Sequence, residues 1–282
     1  MTETYPTKNA GIPWFQLFKY CVYGLLTINA VLFFQENHHA AAHVFTDGVT
    51  FGQLIEAYAD TIDTCSWIFL LLIFELETHV IDDDKLKGGL RWLLSSCKLL
   101  CYAVIAYAVY GYFSKYMAVH GFEASTLTDL CQPMAQSLSF MTTLDEYETI
   151  NLENCAQLSN ASTFLQVPES MIVTDSQAMA EAQWLTVIDV VNSVDWFLVV
   201  LILGADVWLQ FNGRLTDKII KISAVVKAVL YSVLLMCAVL WGIDGDFLDF
   251  WDAFLWIVAF IFIEMNLFEW HSEVEEADAQ VV

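Results

Sequence analysis

The sequence predicts an all-α integral membrane protein: six transmembrane helices built as three repeated two-helix hairpins, with a small extracytoplasmic domain between helices 3 and 4. Three observations predict it. Six apolar stretches are long enough to cross a ~30 Å hydrocarbon core, which takes about 20 helical residues. Basic residues gather at one end of those stretches. Rare polar residues recur within them at fixed spacing.

Of the 282 residues, 57% are hydrophobic, and the mean hydropathy is +0.54. An ordinary soluble domain does not carry so much apolar surface. The chain nevertheless has 34 acidic and 11 basic residues, a net charge of −23. That balance excludes nucleic acid as a partner, which needs a basic footprint, and argues against anionic lipid head groups. It suits a cation, or a protein met through acidic surfaces.

The expected spans are Gly11–Glu36, Asp60–His79, Leu90–Met117, Trp184–Gln210, Ile219–Gly242 and Phe247–Trp270. The first resembles a signal peptide with Ala40–Ala42 as its cleavage site, but it is long for such a core and is read as a helix. Lys8 and Lys19 open helix 1; Lys85, Lys87, Arg91 and Lys98 surround the 2–3 linker; Arg214, Lys218, Lys221 and Lys227 surround the 4–5 linker. Only Lys115 lies toward the opposite side. The basic face is cytoplasmic by the positive-inside rule, which puts both termini inside.

The expected organisation is therefore 1–119 for helices 1–3, 120–183 for an acidic outer domain, 184–271 for helices 4–6, and 272–282 for an acidic cytoplasmic tail. Residues 120–183 are too polar to span and too long for a plain loop. They contain Cys131 and Cys155, whose pairing an oxidising compartment favours. Asn160-Ala161-Ser162 matches a glycosylation acceptor.

The repeat is carried by residues that are scarce in membranes. Lys19, Lys98 and Lys227 are each followed four residues later by a tyrosine. Helix 2 contains Asp60, Asp63, Trp67, Glu75 and Glu77; helix 4 matches it with Asp189, Asn192, Trp196, Gly204 and Asp206. Helix 6 follows with Asp249, Asp252, Trp256, Glu264 and Asn266. Lys19, Lys98 and Lys227 lie at the depth of Glu75, Glu77, Asp206 and Glu264, so ion pairs between helices are expected there.

Asp60, Asp63, Asp189, Asp195, Asp249 and Asp252 lie at the outer ends of the even helices. At 100° per residue, the two acids and the tryptophan of each copy share a face. Convergence of those faces makes an acidic outer ring that concentrates mono- or divalent cations, as in a channel mouth. The simpler alternative is that each acid complements its own helix dipole. His38, His39 and His43 form a cluster with the residue types of a zinc or copper site, against exposed loop histidines. His79 and His271 share a haem only if two helix ends meet, which is not expected.

No nucleotide-binding glycine loop, HExxH or GxSxG motif is present. The leading expectation is a cation channel or transporter. Its rival is a non-catalytic subunit that packs its helices against a membrane-protein partner or a second copy of itself.

Overall fold

The computed structural model describes residues 14–77, 81, 88–132, 137–159, 163–166, 170–211, 214 and 216–261. The chain is mostly helical. The helices are α1 (Trp14–Val44), α2 (Leu54–Ala57), α3 (Ala59–Glu75), α4 (Gly89–Val119), α5 (Cys155–Leu158), α6 (Ser176–Phe211) and α7 (Asp217–Asp244). A further helix, α8, covers 247–261. Four of these, α1, α4, α6 and α7, are long and apolar enough to cross a membrane. The bent pair of the Phe51–Ala57 segment with α3 passes the same test as a fifth. Glu264, Asn266, His79, His271, Asn160 and the tail from 272 lie outside the described residues.

Two helices overrun the apolar stretches that signal them. α1 continues past Glu36 through Ala40–Ala42 to Val44, and α6 starts at Ser176, eight residues before Trp184. Hydropathy marks only where a helix enters hydrocarbon, whereas Ala, Met, Glu and Gln prolong it into polar surroundings. Asp175 sets the start of α6, its Oδ1 accepting the N–H groups of Gln177 and Ala178, each at 2.8 Å. α7 ends at Gly245, whose φ of 93° carries the left-handed turn that leads into α8.

An all-α description does not cover the segment between α4 and α6, which holds a five-stranded sheet. Its strands are β1 (Glu123–Ala124), β2 (Ser139–Met141), β3 (Tyr147–Thr149), β4 (Phe164–Gln166) and β5 (Ile172–Asp175), in the order β1-β4-β5-β2-β3. Only the β2–β5 pair is parallel. Strands this short carry too little period-2 signal to stand out in a polar sequence. Phe140, Phe164, Val173, Ile150 and Leu130 form the core on one side of the sheet, next to the Cys131–Cys155 disulfide. Met141, Leu144 and Ile172 pack instead against Met179, Leu185 and Trp241 of the helices.

The Phe51–Ala57 segment meets α3 at an angle of 82°. α4 crosses this corner at Gly111, where an added Cβ would lie 2.9 Å from the Ile55 carbonyl oxygen and 3.2 Å from the Ala59 Cβ. Backbone cannot yield there as a flexible side chain would. Gly111→Val is expected to lower stability by roughly 1–3 kcal/mol, the usual range for overpacking. The same change at Gly24, with nothing near its Cβ position, serves as control. Thermal unfolding in detergent compares the two, and equal effects would contradict this packing.

Candidate functional site

The aspartates of three helices face one small cavity. Asp60 and Asp63 come from α3, Asp189 from α6, and Asp249 and Asp252 from α8. The cavity is about 50 Å³, room for one or two water molecules. Asn192 contributes from α6, Tyr112 from α4 and Trp241 from α7.

Trp67, Trp196 and Trp256 close the cavity on one side. The ring centroids of Trp67 lie 5.8 Å from Trp196 and 6.0 Å from Trp256, and Phe260 packs against all three. Beyond them Leu26, Leu71, Val199, Leu234 and Ala259 continue one apolar core. The acidic cavity therefore ends on tightly packed aromatic and aliphatic side chains.

α1 supplies two partners that the sequence reading passed over. Asn29 Nδ2 donates to Asp252 Oδ1 at 2.8 Å, and Asn37 Nδ2 donates to Asp60 Oδ2 at 2.9 Å. Asn37 Oδ1 in turn accepts from the Thr61 hydroxyl at 2.8 Å. Both asparagines are buried. Their eight-residue spacing in an apolar helix places them on nearby faces, and that was the available signal.

Lys115, the basic residue that falls on the wrong side of the charge pattern, sits beside this site. Its Nζ lies 2.7 Å from Asp145 and 3.9 Å from Asp60. Asp145 belongs to the loop between β2 and β3, so this contact ties the sheet to the helices. Burial pushes the Asp145 carboxyl up while the Lys115 ammonium pulls it down. Burial likewise raises the Tyr147 hydroxyl, with Asp145 adding to the effect.

Asp195 stands apart from the other five. Six residues beyond Asp189, it is turned by about 240° around α6. It is buried, and it is not among the residues that line the cavity. Face-sharing holds for positions 1, 4 and 8 of each copy, and Asp195 occupies position 7.

The second charged layer consists of ion pairs. Lys19 Nζ lies 2.5 Å from Glu75 Oε1, both side chains being more than nine-tenths buried. The Tyr20 hydroxyl donates to the same oxygen at 3.3 Å. Lys98 pairs with Glu77 at 2.7 Å, and Lys227 lies 3.7 Å from Asp206. These last two pairs are each 21 residues apart in sequence, the lysine following the acid. Ser223 Oγ also donates to Asp206, at 2.5 Å.

The three histidines do not gather at one point. His38 Nδ1 bonds the Tyr58 hydroxyl at 3.1 Å, while His43 Nδ1 bonds Ser139 of the sheet at 2.8 Å. His39 and His43 lie one turn apart with their rings tilted to each other, 5.2 Å between centroids. Among the described residues, no group of three or more His, Cys, Asp or Glu side chains is arranged to hold a metal ion. Spacing along a helix brings His39 and His43 together, but not His38, which points toward α2.

Among the described residues the acids of this site therefore outnumber the one lysine near them, in a cavity that the tryptophans close on one side. No protein-family model, curated protein or solved structure matches this chain, so the reading of the site rests on its own geometry.

Proposed function

We propose that this chain is a multi-pass membrane protein that takes up cations at an acidic outer site and passes them through its helix bundle. The observation that carries this reading is the convergence of Asp60, Asp63, Asp189, Asp249 and Asp252 on one cavity. An isolated carboxylate is expensive to desolvate, and Lys115 is already engaged by Asp145. The remaining charge is balanced by a cation or a proton.

In this reading the membrane holds six spans as three hairpins, with α8 in the sixth. The tryptophan layer is the closed gate, and the Lys–carboxylate layer marks the inner end. The sheet faces outward and both termini face the cytoplasm, because the basic residues cluster at the ends opposite the sheet. A cysteine placed at Ser137 is expected to react with an impermeant maleimide added outside, and one at Gln280 is not. The opposite labelling would reverse the orientation.

The test of transport is cation flux into proteoliposomes containing only this chain. Flux above that of empty liposomes supports the proposal. One observation favours the rival reading, a subunit of a larger membrane assembly: the core beyond the tryptophans is packed, with α4 and α7 presenting exposed Leu99, Leu100, Val225 and Val229. Absence of flux from the chain alone, with flux restored by a co-purifying membrane partner, would favour that reading.

A further inference from the structure

We propose that the cation taken by the acidic cavity is a proton, held by its carboxyls together with a bound water, and not a metal ion. This rests on the cavity being a cation site, and it names the cation.

The first argument is the mixture of polar atoms on the wall. Among the described residues the Trp241 indole N–H has no hydrogen-bond partner, although the residue is 3% exposed. Asp63 Oδ1 and Asn192 Oδ1 are buried and equally without a hydrogen-bond partner among the described residues. All three residues line the same cavity. One orphaned donor and two orphaned acceptors match the hydrogen-bonding pattern of water, which accepts from the indole and donates to the two oxygens. A metal ion has no use for an N–H directed at it.

The second argument is size and ligand count. Calcium takes six to eight oxygen ligands, and magnesium needs near-octahedral coordination and keeps several of its waters. A cavity of about 50 Å³ has no room for a hydrated ion. Although five aspartates line it, no three acids among the described residues are gathered to ligate a metal. A proton needs neither room nor a ligand cage. It resides on one carboxyl oxygen and passes to the next through the water, one O–H bond breaking as another forms.

The third is the set of groups around the cavity. Besides the five lining aspartates, Asp246 on the α7–α8 turn contacts Asp249, and Glu36 of α1 and Asp145 of the β2–β3 loop stand in the field of Asp60. Among the described residues, Lys115 and the Tyr112 hydroxyl of α4 face these eight acids. Carboxyls crowded in this way share protons when no metal neutralises them.

Infrared spectroscopy of the full chain in lipid nanodiscs tests the inference. At neutral pH a carboxylic-acid C=O band is expected, reduced in at least one of Asp63→Asn, Asp189→Asn and Asp249→Asn. Trp241→Phe is expected to shift the band rather than remove it. Millimolar sodium, potassium, magnesium or calcium is expected to leave it unchanged. A wild-type protein without the band, or with a band that any of these ions removes saturably, would overturn the proposal. Those two readings need no variant to fold. A protein that shows the band but carries no flux would lose the transport function and keep the proton site.

Discussion

Replacing Lys19 alone by methionine is expected to lower stability by about 3–5 kcal/mol, the cost of leaving a buried carboxylate without its partner. Lys19 is 1% exposed and its contact with Glu75 is 2.5 Å, so solvent cannot take over the role of either charge. Tyr20, with Tyr23 close by, remains to solvate Glu75 once the ammonium is gone. Changing both residues, Lys19→Met with Glu75→Leu, is expected to cost far less than the single change. Two apolar side chains remove the desolvation penalty together with the attraction. The same single change at Lys98, which is about one-third exposed, is expected to cost much less than at Lys19. SDS titration of the purified variants measures all three. A double mutant as damaged as Lys19→Met would show that the pair stabilises the fold by attraction and not merely by avoiding an orphan charge.

Converting Asp60, Asp189 and Asp249 together to asparagine is expected to reduce cation flux to that of empty liposomes, with the protein still folded. One residue is changed on each of α3, α6 and α8, so every helix that contributes an aspartate to the cavity loses one. Asparagine keeps the volume, and Asp60 can still accept from Asn37 as an amide oxygen. Folding is checked by circular dichroism and by the wild-type elution volume in gel filtration. Asp195→Asn is the matched control: also acidic and buried on α6, but away from the cavity. Loss of flux in the control and survival in the triple variant would remove the cavity from the pathway.

How far the sequence carries depends on how local the signal is. Apolar length located the major helices, because a hydrophobic run is a property of consecutive residues. The disulfide was legible for a similar reason: Cys131 and Cys155 are the only two cysteines in the polar segment, and they are joined. The shared face of Asp60, Asp63 and Trp67 followed from 3.6 residues per turn, as did the corresponding faces in α6 and α8. Asp195 shows the limit of counting acids without counting degrees.

By itself the sequence determined an apolar, acidic, largely helical chain with rare polar residues at recurring positions. Tertiary structure alone decided which faces meet. That Trp67, Trp196 and Trp256 form one cluster, that Asn29 and Asn37 of α1 complete the acid layer, and that Lys115 bridges Asp60 to Asp145 all depend on residues 23 to more than 200 positions apart. The physical reason is that a helix sets the angular position of each side chain through local backbone hydrogen bonds. The rotation and neighbours of that helix are set by packing against the others, which no local pattern encodes.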